Sequence, residues 1–472
     1  MVSNLLKKVK AKGLTIEGMA IDSHNVKKNF IFFAIPGSKD DGNKYIKEVL
    51  KKNPAAIVTT QNKKYKSKVP FFFVKNIRKE LALFSYNYHQ IAIANKIAIT
   101  GTNGKTSVAF YVQYILTKLG NKCGSIGTLG SNFKQIQSNL TTPDSIQIAQ
   151  LLNKFTLNKY NSIVMEASSH ALDQNRVFGL DYKILALTNI SHDHLDYHKN
   201  INNYINAKLK LFINNKNKNE AINIISKDTK YYNIIKNKLK KNKINFKTFG
   251  FKISDYQIMK FDRMSEKINA KLKHLKKTYT FKFNNLPEFQ VQNFLLAATM
   301  VAEMGYELKK ISKLSLAAPN VPGRMELAGV KKNKAKVFID FAHTPDALKN
   351  VLQETKLMNP NKLHIVFGCG GDRDKNKRQV MGKIATKYAD LVVVTDDNPR
   401  NENASKIRSE IINKSNNIFE IPNREEAIKH AISNLKSNDI LIIAGKGHEK
   451  YQIIKDKTIS FDDAKIAKKY IK

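Results

Sequence analysis

The sequence predicts an α/β protein of about three domains. Its 472 residues set against ~100–200 residues per domain give the domain number. Short apolar, β-rich runs alternate with stretches of helical spacing, which gives the class. Several of these runs end in glycine-rich or acidic motifs, where open α/β sheets bind ligands. Hydrophobic residues at 42% and aromatics at 9% suffice for several cores and exclude global disorder.

In chain order, residues 1–95 form a small α/β unit with strands expected at Phe30–Ile35, Ala55–Thr60 and Val69–Lys75. The strand Lys96–Thr100 then runs into GTNGKT and a helix in which Val108, Tyr111, Val112, Ile115, Leu116 and Leu119 share one side and Gly120 is the stop. Strands follow at Ser162–Met165 and Lys183–Thr188. The Asn- and Lys-rich stretch 213–245 carries Ile pairs that favour a helix and a strand over a linker. APNVPGR (318–324) marks a boundary. Strands at Lys336–Phe341, Leu363–Gly368, Asp390–Thr395 and Asp439–Ala444, with helical patterns between, predict a doubly wound C-terminal domain. The expected domains are 1–95, 96–320 and 321–472.

The longest apolar runs fall far short of the ~18 residues of a spanning helix. The basic start MVSNLLKKVKAKG has no apolar segment after it, so no secretory signal is expected. Two cysteines, Cys123 and Cys369, make no disulfide framework and point to a reducing, cytoplasmic setting. The net charge is +42, but only 9 of 81 cations are Arg. The 72 Lys are spread along the whole chain, which reads as a solvated basic surface rather than a nucleic-acid stripe. Only weak, salt-sensitive binding to nucleic acid is expected.

ITGTNGKTS (99–107) reads as a phosphate loop: glycines let backbone N–H groups approach phosphate, and the helix N-terminus favours anions. Lys105 would reach the β/γ phosphates and the Thr106 hydroxyl would ligate Mg²⁺. The match is loose, since Ile99 stands where the outer glycine belongs. Glu166 closes an apolar strand, either as an ordinary strand-end carboxylate or as a second Mg²⁺ holder. LTNISHDHLDYH (187–198) crowds three His and two Asp into seven residues, facing a metal or a phosphate if it is not a polar loop. Lys208 follows on a helical pattern; among so many lysines its composition says nothing.

GTNGKT, EASSHAL, DHLDYH with AK..LF, PGRME, DFAHTPD, GCGGDRD, DNPR and GKGHE, in this order from about Asp22 to Gln452, resemble the Mur ligase family. The resemblance implies the three-domain Mur ligase architecture: a UDP-substrate-binding domain, a central P-loop ATPase-like domain, and a Rossmann-like C-terminal domain for the amino acid. It implies an ATP-dependent ligase of peptidoglycan precursor synthesis. The chain is expected to be a monomer, with no membrane insertion and no specific nucleic-acid partner. Its substrates would be UDP-N-acetylmuramoyl-dipeptide (UDP-N-acetylmuramoyl-L-alanyl-D-glutamate) and meso-diaminopimelate, joined through an acyl phosphate.

The resemblance also assigns residues. Gly101, Thr102, Asn103, Gly104, Lys105, Thr106 and Ser107 would hold ATP phosphates, with Asn293, Arg324 and Asp340 on its base and ribose side and His343 close by. Thr106, Glu166, His194 and Lys208, the last carbamylated by CO₂, would serve Mg²⁺, with Asn189 flanking. Lys105, Glu166, His194 and Lys208 would be the catalytic set. Ser23, Ser38, Thr141, Thr142, Ser168, Gln174 and Arg176 would contact the UDP-sugar peptide; His24 departs from the family's usual Arg. Arg373, Asp397, Asn398, Pro399, Arg400, Gly445 and Glu449 would bind the diamino acid. Meso-diaminopimelate carries a far-end carboxylate that lysine lacks. Arg400 can clamp it bidentately, Glu449 can pair with the distal ammonium, and Arg373 with the carboxylate near the reacting amine. Family relatives that add L-lysine, D-alanyl-D-alanine or a glutamate to folate are the near alternative, against which DNPR and GKGHE argue. A basic nucleic-acid-binding P-loop ATPase is the alternative of another class.

Overall fold

The computed structural model describes residues 4–37, 40–63, 65–89, 91–133, 140–191, 193–264, 267–284, 286–412 and 418–471. Strands β1 (Gly18–Ala20), β2 (Phe30–Phe33), β3 (Ala56–Thr59) and β4 (Phe71–Phe73) form a parallel sheet in that order. β2 and β3 are near-continuous apolar runs because both faces are covered. Phe33 and Val58 join Leu5, Leu81 and Phe84 in one cluster, and Phe32 and Ile57 join Ile46 and Val49 in the other.

The next sheet contains β5 (Asn95–Thr100), β6 (Cys123–Gly127), β7 (Gly130–Ser131), β8 (Ser162–Glu166), β9 (Ile184–Leu187), β10 (Ile222–Ser226), β11 (Lys247–Gly250), β12 (Tyr256–Met264), β13 (Lys267–His274) and β14 (Lys277–Asn284). Its order is β14-β13-β12-β11-β10-β9-β5-β8-β6-β7. β5 lies between β8 and β9, parallel to both, with Ile99 opposite Glu166 and Thr100 opposite Leu187. The carboxyl ends of the three strands therefore deliver GTNGKT, the Glu166 motif and Thr188–Ser191 to one edge.

The C-terminal sheet contains β15 (Arg324–Val330), β16 (Lys336–Asp340), β17 (Leu363–Phe367), β18 (Leu391–Val394), β19 (Ile418–Glu420) and β20 (Ile440–Ala444), in the order β15-β16-β20-β17-β18-β19. All its pairings are parallel except β15 with β16. A hairpin, β21 (Tyr451–Ile454) and β22 (Lys457–Ser460), follows. By internal contacts the chain divides into two compact units, residues 1–259, 272–279 and 295–311 in one and 260–271, 280–294 and 312–472 in the other.

Each strand expected from sequence is present, with ends shifted by a residue or two. Residues 213–245 hold β10 and the helix Tyr232–Lys241. The pattern did not announce β1, β6, β7, the meander β12–β14, β15, β19 or the hairpin. β13 and β14 alternate buried and exposed residues, but their exposed positions are largely Lys and Asn, as in this chain's loops.

Candidate active site

The phosphate loop depends on glycine where β5 meets β9. Gly101 has φ +149, and a Cβ there would lie 1.9 Å from Thr188 Oγ1. Gly104 caps the helix Lys105–Lys118 in a left-handed conformation. The loop is pinned from the end of β9. The Thr188 hydroxyl donates to the Asn103 carbonyl at 2.6 Å, Thr102 N donates to the Asn189 carbonyl at 2.9 Å, and Asn103 N to Asn189 Oδ1 at 3.0 Å. Lys105 Nζ reaches the Gly101 and Thr102 carbonyls at 2.9 and 2.8 Å. Thr102, Thr106 and Ser107 are buried.

Glu166, 2% exposed at the end of β8, faces the first turn of that helix. Thr106 Oγ1 donates to Glu166 Oε2 at 2.8 Å, and Thr128 N to Glu166 Oε1 at 2.7 Å. Gly127 makes room, since a Cβ there would sit 2.2 Å from Oε1. A hydroxyl and a carboxylate oxygen at a helix N-terminus are hard donors of the kind that hold Mg²⁺ together with substrate phosphate. Among the described residues no group of three or more His, Cys, Asp or Glu forms a protein-only metal cage.

Lys208 comes from the helix Ile201–Ile213, whose apolar residues bury one side of it. It is 1% exposed; its Nζ donates to the Gly101 carbonyl at 2.7 Å and lies 4.4 Å from the Tyr204 ring centre. Burial, reinforced by the Lys105 ammonium and opposed by Asp193, pushes its amine well below the ordinary lysine range. His194 sits in a left-handed conformation (φ +53), its Nε2 3.5 Å from Asp193 Oδ2. Burial lowers its pKa, and Lys105 and Lys208 act in the same direction. His170 packs 4.7 Å from it and is pushed down to about 4 by burial, then by His194, His198 and Arg176. His192 lies outside the described residues.

Of the residues expected to meet the UDP-sugar peptide, four converge. Thr142 Oγ1 lies 3.4 Å from Ser168 Oγ, Arg176 Nη1 donates to the Thr142 carbonyl at 2.7 Å, and Arg176 Nη2 to Gln174 Oε1 at 2.7 Å. The Arg176 carbonyl accepts from Tyr86 and Ser145. Thr141 lies 3.4 Å from Thr128, the residue that holds Glu166. Ser23 is buried in the first sheet's loop, where Lys52 Nζ takes its carbonyl at 2.8 Å. Exposed His24 pairs with Asp22 at 3.0 Å. Ser38 lies outside the described residues.

In the second unit, Asn293 Nδ2 donates to Gln290 Oε1 at 3.2 Å, and Gln290 Nε2 to the Arg324 carbonyl at 2.8 Å. Arg324 and Asp340 are register partners, and the guanidinium covers the Phe341 ring at 4.5 Å. Asp340 accepts from Met325 N and Ala342 N, both at 2.8 Å; burial raises its pKa. His343 lies 4.5 Å from Phe341.

The strand ends of β17, β18 and β20 bring charged and amide side chains together. Asn398 Nδ2 donates to Glu449 Oε2 at 3.1 Å, and Arg400 Nη1 donates to the Gly371 carbonyl at 2.8 Å. Gly371 fits because a Cβ would sit 1.9 Å from the Pro399 carbonyl oxygen. A Cβ on Gly445 would stand 3.1 Å from Asp397 Oδ2. Burial raises the Glu449 pKa against the pull of Lys446. Arg373 is exposed on the neighbouring loop. Behind that loop, fully buried Arg378 ties Glu402 at 3.0 Å to Glu410 at 2.6 Å, and Glu402 accepts Asp372 N.

Sequence reasoning missed Lys446, which is 0% exposed and reaches Asn398 Oδ1 at 3.0 Å, Asp397 Oδ1 at 3.4 Å and Glu449 Oε2 at 3.6 Å. Its place inside GKGHE was the available signal, drowned by the lysine background. It also missed Thr128, which no motif marked, and the place of the Tyr204 ring beside the Lys208 amine.

Comparison with known proteins matches residues 99–301 to the Mur ligase middle domain and residues 323–447 to the Mur ligase, glutamate ligase domain. The UDP-N-acetylmuramoyl-L-alanyl-D-glutamate–2,6-diaminopimelate ligase of Rickettsia conorii is 40% identical over 467 residues, 97% of this chain and 96% of its own. A solved structure of a ligase of the same name has a TM-score of 0.68 at 28% identity, covering 97% of this chain and 94% of its own. A MurF ligase from Thermotoga maritima, determined with ADP, shares the fold with a TM-score of 0.62 at 18% identity, covering 92% of this chain and 95% of its own.

Proposed function

The chain belongs to the Mur ligase family, and from that premise we propose that it is the ATP-dependent ligase that adds meso-2,6-diaminopimelate to UDP-N-acetylmuramoyl-L-alanyl-D-glutamate. The observation that carries the amino-acid choice is the pocket in which Arg400, poised on the Gly371 carbonyl, shares the Asn398 turn with Glu449. A far-end carboxylate meets the guanidinium and its ammonium meets Glu449. L-lysine would leave the guanidinium unpaired, which disfavours it. Asp397, Pro399 and Gly445 shape the pocket, and Arg373 takes the carboxylate near the reacting amine.

The D-glutamate carboxylate is a poor acyl donor and is first phosphorylated by ATP; the diamino acid's amine then attacks, expelling phosphate. Such a reaction asks the protein for positioning and charge neutralisation rather than a nucleophile. Gly101 to Ser107 cradle the β and γ phosphates with loop and helix N–H groups, and Lys105 leaves its carbonyl partners to neutralise them. Thr106 and Glu166 would hold Mg²⁺, with His194 and Asn189 beside a second. When bound, Mg²⁺ screens the phosphate charge so that two anions can approach. Burial disfavours the Lys208 ammonium, and the neutral amine can bond CO₂ and release a proton. That replaces a would-be cation by a carbamate anion suited to the metal side of the site. Asn293, Arg324 and Asp340 take the base and ribose of ATP, with the Arg324 guanidinium already stacked on Phe341.

We assign residues 1–95 to the UDP end of the substrate, together with Ser23, Ser38, Thr141, Thr142, Ser168, Gln174 and Arg176. Residues 96–320 are assigned to ATP and 321–472 to the amino acid. No helix among the described residues is long and apolar enough to cross a membrane; we place the protein in the cytoplasm as a monomer. The test is ADP and phosphate release. It should require the nucleotide dipeptide and diaminopimelate together, and nucleic acid should not replace them. Turnover stimulated by nucleic acid alone would overturn the reading.

A further inference from the structure

The turn that carries Arg400 does not hold itself. Arg400 is in a left-handed backbone conformation, φ +52, which a side-chain-bearing residue keeps only when its surroundings impose it. Two elements impose it: the loop after β17, where Gly371 N donates to the Asn398 carbonyl at 2.9 Å, and the hairpin β21–β22. Arg400 N donates to the Ile453 carbonyl at 3.1 Å and Lys455 N donates to the Arg400 carbonyl at 2.9 Å, so a single parallel bridge joins the turn to β21, with Arg400 opposite Ile454. Ile453 N donates to Asn398 Oδ1 at 3.0 Å. One buried side chain completes the join: Gln452 Nε2 donates to the Asp397 carbonyl at 2.6 Å.

We propose that Gln452 is a positioning residue for amino-acid selection: it anchors the Asp397–Arg400 turn to β21 and so aims the Arg400 guanidinium at the far-end carboxylate of the diamino acid. Gln452 itself need not touch substrate. Without its amide, the Asp397 carbonyl beside it loses its donor, and an unmet carbonyl in that setting favours a different turn geometry. Arg400 and Asn398 then leave the arrangement in which Asn398 also donates to Glu449. The inference rests on the reading that Arg400 recognises a second carboxylate.

The test is a double-mutant cycle on the full-length protein, read as kinetics with meso-diaminopimelate and with L-lysine. Gln452→Met keeps the length of the side chain and removes the donor. It should raise the diaminopimelate KM about tenfold, with kcat and the KM values for ATP and the nucleotide dipeptide within about twofold. Its preference for diaminopimelate over lysine should fall by the same factor. Gln452→Glu, isosteric but an acceptor at neutral pH, should behave alike, and thermal melting of both checks that they fold. Adding Gln452→Met to Arg400→Ala should cost nothing further, because the residue acts through Arg400. Effects that multiply in the double variant, or an unchanged diaminopimelate KM in Gln452→Met, would overturn the proposal. A parent that adds another amino acid instead would overturn the substrate reading. The cycle run on that amino acid would then decide the coupling, non-additivity supporting Gln452 and additivity refuting it.

Discussion

Lys208 in the first unit and Lys446 in the second are almost equally removed from solvent, at 1% and 0% exposure. Their surroundings differ in kind. Lys208 meets a backbone carbonyl and an aromatic ring, has the Lys105 ammonium near it, and is driven towards the neutral amine. Lys446 meets two carboxylates and an amide oxygen, the partners that a buried ammonium needs. Burial alone does not decide what a lysine does; the partners supplied with it do. A lysine whose ammonium is disfavoured is suited to the reaction with CO₂ that we propose for Lys208, whereas the paired Lys446 is a strut that holds Asp397, Asn398 and Glu449 in place.

The comparison breaks first at Lys208. Lys208→Ala should lower kcat by about 10³, the scale of losing one preorganised charge-stabilising group, while the KM for ATP moves less than about threefold. Lys208→Arg should fail as badly, because guanidinium stays charged and cannot be carbamylated. A small carboxylic acid in the assay should partly rescue Lys208→Ala. Near-parental activity of Lys208→Arg would sink the carbamate role.

Lys446→Met should act on stability instead. It leaves Asp397 and Glu449 without their cation, and breaking a buried pair of this kind costs about 3 kcal/mol. A clear fall in the melting temperature measures it. Unchanged stability would mean that Lys446 is no strut.

Arg400→Ala should raise the KM for diaminopimelate about 10²-fold, the scale of a lost charge-assisted bidentate contact, and leave the nucleotide dipeptide's KM nearly unchanged. Equal use of diaminopimelate by parent and variant would remove Arg400 from recognition.

The smallest effect is a pH dependence at Glu449. Its folded pKa is raised above the ordinary 4.5, chiefly by burial. Between those two values the folded state binds more protons than the unfolded one, so this group's contribution to stability is present below 4.5 and is lost as pH rises through the folded pKa. The distal ammonium of the substrate needs the ionised form. The KM for diaminopimelate should therefore climb as pH falls through mildly acidic values, and Glu449→Gln should flatten that limb. An identical profile in parent and Glu449→Gln would contradict the pairing.

Much of this was legible in the sequence because chemistry and backbone signals coincided there. Gly101 and Gly104 sit between a strand and a helix, Glu166 ends an apolar run, and DNPR and GKGHE end two more. The helical pattern around Lys208 was readable too, but its burial became visible only in the fold. What stayed hidden depends on partners far along the chain. Nothing local distinguishes Lys446 from 71 other lysines, and Thr128 matters only because folding brings it to Glu166, 38 residues away. β21 is readable as neither core nor turn: Tyr451 and Ile454 are exposed, and its role is to receive the Arg400 turn.

The mass of the nucleotide product decides which amino acid the protein adds. The protein is given ATP, Mg²⁺ and UDP-N-acetylmuramoyl-L-alanyl-D-glutamate with equal concentrations of meso-diaminopimelate, L-lysine, D-alanyl-D-alanine and glutamate, and the nucleotide product is weighed by mass spectrometry. The expected result is a single product heavier by one diaminopimelate residue, with one ADP formed for each. A product carrying lysine, or ATP consumed without any new amide, would contradict it.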